Sequence, residues 1–126
     1  MRAGTYNFTC EQGSTFTRLI ELEEPDLVAD PTGNTFVPID INGYSARMQV
    51  RRTIESTSYL VYLTTENGGL IINPTDADNQ IVISMADEVT ASISVSGVYD
   101  LEIESPEGVV SRILQGVFTL SPEVTR

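Results

Sequence analysis

Asp76, Asp78 and Asn79, in the stretch NPTDADNQ, set oxygen-bearing side chains at the spacing of a calcium-binding loop. A loop that begins at Asp76 wants glycine at its sixth position and glutamate at its twelfth. Ile81 and Asp87 stand there, so the EF-hand pattern fails. A looser cation site remains open beside the simpler reading, a solvated turn. Asp100, Glu102 and Glu104 form a second cluster, of the type that serves general acid and base catalysis. They alternate with Tyr99, Leu101 and Ile103, which describes the wet face of a strand better than a reaction centre. Cys10 could be a nucleophile only if a nearby base lowered its pKa, and none stands close in sequence.

The arginines carry a different chemistry. Arg47 and Arg51 fall on the polar side of an alternating run, IDINGYSARMQVRR. If that strand neighbours the one bearing Asp100, Glu102 and Glu104, each arginine can pair across strands, worth roughly 0.2–1 kcal/mol. The functional alternative is subunit contact, because guanidinium groups bind carboxylates bidentately and are enriched at interfaces. Arg47, Arg51, Arg52, Asp26, Phe36 and Arg126 are the protein-interface candidates on this reading.

Composition removes most other classes. The chain has 126 residues, enough for one domain over 1–126 that buries about two-thirds of its unfolded surface. Eighteen acids face seven bases, a formal net charge of -11. Every base is arginine, so there is no lysine for Schiff-base chemistry or a phosphate loop. Histidine is absent too, and with it the usual general base near neutral pH and the usual nitrogen metal ligand. One cysteine makes neither an internal disulfide nor a thiolate cage. An acidic surface repels phosphates, which argues against nucleic acid as a partner. No apolar run approaches the roughly 20 residues of a membrane helix, and no signal peptide is visible. Asn7-Phe8-Thr9 therefore reads as a chance match to the glycosylation pattern. No cofactor is expected.

These side chains need strands to position them. Tyr44, Ala46, Met48 and Val50 share one parity, and Ser45, Arg47, Gln49 and Arg51 the other, as in a half-buried strand. Residues 99–104 and 81–83 alternate likewise. In 15–23, Phe16, Ile20 and Leu22 point inward, although Arg18 shares their parity. The run 58–65 reads as a strand buried on both sides, and 109–120 groups Leu114, Phe118 and Leu120 around Gly116. Asn42-Gly43, Asn67-Gly68-Gly69 and Ser105-Pro106-Glu107-Gly108 are turns. Ser84 with Asp87 resembles a helix capping box, and Val89 and Ile93 follow one turn apart, which predicts a short helix near 85–93. Residues 23–38, with three prolines and four acids, read as a long surface loop. The expected fold is all-β: a two-layer antiparallel β-sandwich, immunoglobulin-like, with one short helix.

Three segments resemble small virion proteins of tailed bacteriophages. PIDINGYSARMQVRR (38–52) is similar to a segment in which Pro-Ile-Asp-Leu-Thr-Gly-Tyr precedes an Ala-Arg-Met-Gln-Ile-Arg strand, with Ile41 and Asn42 replacing Leu and Thr. AGTYNFTCEQGSTFTRLIEL (3–22) shares a Gly-Ser-Thr-Phe step before its strand. GVYDLEIESPEGVVSRILQGVFTLSPEVTR (97–126) shares a Tyr-Asp-Leu-Glu strand, a Pro-x-Gly turn, an Arg-x-Leu-x-Gly strand and a closing Glu-Val-Thr-Arg. Together they look like the N-terminal domain of phage baseplate upper proteins, and the 23–38 loop departs by being longer. The resemblance implies a non-enzymatic structural component of the virion, assembled in the host cytoplasm. It would sit in the tail, baseplate or neck and act through protein–protein contacts. Other virion proteins, and further copies of itself in a trimer or ring, would be its partners. A capsid decoration protein is the nearest alternative. A host-glycan-binding module is a third, weakened by the absence of tryptophan and by tyrosines expected to face inward.

Overall fold

The computed structural model describes residues 3–125. In chain order the elements are β1 (Gly4–Thr5), β2 (Phe8–Glu11), β3 (Phe16–Glu21), β4 (Glu23–Pro25), β5 (Phe36–Pro38) and β6 (Ser45–Arg51). There follow β7 (Val61–Thr64), β8 (Leu70–Ile72), β9 (Gln80–Met85), α1 (Asp87–Ala91), β10 (Gly97–Glu104) and β11 (Val110–Ser121).

The strands make a β-sandwich. One sheet runs β1-β11-β10-β6-β7, with β2 continuing alongside β11 beyond β1. The other is β3-β9-β8. β6–β7, β8–β9 and β10–β11 pair within one layer, and the chain changes layer from β2 to β3, from β7 to β8 and from β9 to β10; β1 and β2 pair parallel to β11 while the remaining ladders are antiparallel. A period of two puts Ala46, Met48 and Val50 under the first sheet and Ile81, Ile83 and Met85 under the second. Phe8 stitches the layers: its ring lies 5.7 Å from Phe16 and 5.0 Å from Tyr99. The Tyr99 hydroxyl, buried, donates to the Tyr6 carbonyl at 2.6 Å. Burial holds that phenol well above its ordinary pKa.

Two turns follow the chemistry expected of them. Gly43 has φ +82° and Tyr44 N–H returns to the Ile41 carbonyl, the left-handed third position of a type II turn. Gly108 has φ +90° in the 105–109 turn, where any side chain would strain the backbone.

Other expectations are corrected. Ser84 does not cap the helix, because β9 continues through Met85 and Ala86 is the N-cap, without a side-chain bond. The helix packs through Thr90, fully buried, while Val89 faces outward. The Thr90 hydroxyl donates to the Ser14 carbonyl at 2.8 Å and receives the Gly13 N–H at 3.0 Å, tying the helix to the β2–β3 turn. The 58–65 run is half-buried, not buried on both sides: β7 is an edge strand, with Val61 and Leu63 inward and Tyr62 outward. Residues 23–38 are not an irregular loop. Glu23, Glu24 and Pro25 pair with Pro38, Val37 and Phe36, and the segment leaves the sandwich as a two-stranded ribbon. The tyrosines do not mostly face inward either, since Tyr6, Tyr59 and Tyr62 are exposed.

The largest surprise is in β11. Leu101 faces Leu114, but Glu102 faces Arg112, so Ile113 is an extra residue, a β-bulge. The bulge exchanges the faces of the strand. Phe118 and Leu120 are inward after it, whereas Ile113, of the opposite parity, is inward at it, and Leu114 is only partly covered. Gly116 follows, where a Cβ would overlap the Tyr6 carbonyl. That close approach is how β1 reaches the sheet edge.

Candidate protein-interaction face

The outer face of the larger sheet gathers the charged residues of β6 and β10. Register places Arg47 opposite Glu102, Gln49 opposite Asp100 and Ser45 opposite Glu104. Arg47 Nε lies 2.9 Å from Glu102 Oε1, and its Nη1 lies 3.3 Å from Glu104 Oε1. The Glu102 hydrogen bond raises the guanidinium's pKa against some burial. Among the described residues Arg51 meets no carboxylate. Its Nε and Nη2 bond Gln49 Oε1 at 3.0 and 2.7 Å, and its Nη1 donates to the Ser56 carbonyl at 2.6 Å. It thereby braces the 52–60 connection against β6.

Arg112 takes the place that Arg51 was expected to fill. Its Nε stands 3.5 Å from Asp100 Oδ2, a loose pair with both groups partly solvated. Only the bulge at Ile113 turns Arg112 outward, since by parity it belongs with the inward Phe118 and Leu120. Burial, helped by the neighbouring Glu102, lifts the Asp100 pKa above its ordinary value, and Arg112 and Arg51 oppose that rise. A groove of about 450 Å³ runs beside this pair, lined among others by Arg51, Ile54, Asp100, Arg112, Gln115 and Val117.

The remaining candidates lie elsewhere. Arg52 is exposed just past the end of β6. Asp26 and Phe36 sit on the ribbon, where the Asp26 carboxylate receives the Ala29 N–H at 3.1 Å. Phe36, Leu27 and Val28 are 54%, 60% and 97% exposed. The ribbon's turn is built on Asp30, whose carboxylate binds the Thr32 hydroxyl and N–H and the Thr35 hydroxyl. Those bonds hold its pKa below the ordinary carboxylate value. Arg126 lies outside the described residues.

Two residues of the calcium-like stretch are bonded within the fold. Asp78 accepts from Asn42 Nδ2 at 2.6 Å, and Asn79 Nδ2 donates to the Leu22 carbonyl at 3.1 Å. Among the described residues no three acidic, histidine or cysteine side chains converge as a metal would require. Cys10 is buried in β2, and burial raises its thiol pKa. Asn7 accepts the Val117 N–H at 2.9 Å, which gives that residue a role in the strand edge.

Sequence reasoning missed Arg112, the ribbon's apolar tip and the paired rings of Tyr59 and Tyr62, 5.4 Å apart. Leu27 and Val28 were legible as apolar residues inside an acidic, proline-rich stretch. Arg112 was not, because its direction depends on an unpaired residue in a long-range ladder. Neither a protein-family model nor a curated protein matches the chain.

Proposed function

We propose that this chain is a non-enzymatic structural component of a tailed-bacteriophage virion, placed in the tail, baseplate or neck and working through protein–protein contacts. The observation that carries the reading is the 23–38 ribbon, which holds Leu27, Val28 and Phe36 in water beyond the edge of the sandwich. Three large apolar side chains exposed on one short projecting segment favour a contact surface. The phage class itself rests on the resemblance of residues 3–22, 38–52 and 97–126. The segments that carry it include the Gly43 and Gly108 turns and the Gly116 crossing, which are frame positions in this chain. Immunogold labelling of purified particles tests it. Label at the tail or the head–tail junction is expected. Label over the head would move the protein to the capsid surface as a decoration protein, and no label on intact or opened particles would overturn the structural reading.

One observation favours a second reading, glycan binding. Tyr59 and Tyr62 are exposed, and Tyr62 borders the recess that holds Arg47, Gln49 and Glu102. Aromatic faces beside polar groups can stack on sugars. Binding on a glycan array that disappears in Tyr62→Ala would support it, and silence on the array would remove it.

A further inference from the structure

The ribbon and the groove are complementary in charge and in apolar character. Residues 23–38 carry Glu23, Glu24, Asp26 and Asp30 and no base, and around them Leu27, Val28 and Phe36 are exposed. The groove presents two cations, Arg51 and Arg112, against one acid, Asp100, with Ile54 and Val117, both exposed, at its side. Arg112 meets Asp100 at 3.5 Å and donates Nη1 to Gln115 Oε1 at 3.3 Å, so among the described residues its Nη2 carries no hydrogen bond.

Their positions decide which molecule can bring them together. The ribbon is rooted where Leu22 N–H meets the Asn79 carbonyl and Ile39 N–H meets the Leu22 carbonyl. Ile41 N–H bonds the Asp78 carbonyl beside that root, and β6 begins at Ser45 soon after. The groove lies at the other end of β6, at Arg51. Ser45 and Arg51 stand about 20 Å apart along β6. No ribbon residue lines the groove of its own chain, and Leu27, Val28 and Phe36 stay exposed there.

We propose that the ribbon of one chain docks in the groove of a second copy. The acids of 23–26 would meet Arg112 and Arg51, and Leu27 and Phe36 would cover Ile54 and Val117. The contact is heterologous, since it joins two different patches, and its repetition gives a ring where the rotation closes and an open filament where it does not. It also gives a chain of net charge -11 a cationic place to receive another copy. This inference rests on the structural reading above and names the partner and the surfaces.

Native mass spectrometry and sedimentation of the full chain test it, with two variants. Ile54→Ser with Arg112→Gln spoils the groove, and Leu27→Ser with Phe36→Ser spoils the ribbon. All four side chains are exposed, and circular dichroism should show both variants folded. Wild type is expected above single-chain mass in low salt, falling toward it in high salt as the charges are screened. Each variant alone is expected at single-chain mass. A mixture of the two is expected to give a one-to-one complex, since each supplies the surface the other lacks. A wild type that stays monomeric at its highest soluble concentration would overturn the proposal. So would an oligomer indifferent to both variants, or variants that do not combine. Gold label on virions with a monomeric chain would sink this contact and leave the virion reading. The complex without label would do the reverse.

Discussion

The outer face of β6 and β10 and the β4–β5 ribbon both display carboxylates, yet they differ in what lies beneath. On the sheet, Glu102 and Glu104 stand on a ladder whose other side is Leu101, Ile103, Ala46 and Met48, all buried. Arg47 has little freedom there, and its partners are delivered by register. On the ribbon, hydrogen bonds hold the turn, but Leu27, Val28 and Phe36 stay more than half exposed. The charges of the sheet are largely answered within the molecule, and those of the ribbon are not. Charged residues over a packed core describe a frame, whereas on the ribbon acids are mixed with apolar residues left exposed to water.

The widest separation of the two regions is expected in stability. Leu101→Ala, at a fully buried site, should cost about 2–5 kcal/mol in urea unfolding. Val28→Ser should stay within about 0.5 kcal/mol. A large loss at Val28 would mean that the ribbon belongs to the core. Gly116→Ala comes next, at about 1–3 kcal/mol, because the new methyl must push the Tyr6 carbonyl and strand β1 aside. A shift of the Tyr99 hydroxyl environment in NMR spectra should accompany it, since that group bonds the same carbonyl. A neutral Gly116→Ala would show that the sheet edge yields easily.

Arg47→Ala should cost only about 0.2–1 kcal/mol, as its pairs are partly solvated. A larger loss would make the ladder part of the frame in its own right. The smallest expected effect is a difference in pH dependence. Asp30, with its pKa lowered, stabilises the fold above the ordinary value of 3.8, and this is lost as pH falls through its folded value below that point. Asp100, with its pKa raised, contributes in the opposite sense. Its contribution is fully present below 3.8 and is lost as pH rises through its folded value above that point. Urea midpoints from pH 3 to 6, each taken as wild type minus Asp30→Asn or Asp100→Asn, should therefore slope in opposite directions. Parallel slopes would break the contrast between the two carboxylates.

Much of the frame was readable because its signals are local. Alternation along 45–51 and 99–104 announced half-buried strands, and Asn42-Gly43 and Pro106-Glu107-Gly108 announced turns. The pairing of Arg47 with Glu102 and Glu104 followed once the two strands were taken as neighbours. The ribbon was misread, since its prolines and polar residues suit a loop as well as a short pair of strands. The helix start at Ser84 was misread for a related reason: a capping-like pair of residues competes with a strand whose ladder partner, Thr17, is far away in sequence.

Residue order by itself determined the period-two strands, the turn glycines, the helix between β9 and β10 and the acidic, lysine-free surface, because each depends on neighbours a few positions apart. Tertiary structure alone decided that Arg112 and not Arg51 faces Asp100, that Gly116 lies under the Tyr6 carbonyl, and that the ribbon and the groove occupy opposite ends of β6. Those outcomes depend on which strand lies beside which and on one unpaired residue, Ile113, in a ladder that joins β10 to β11. A bulge reverses every side chain beyond it, and no local pattern records on which side of the bulge a residue will fall.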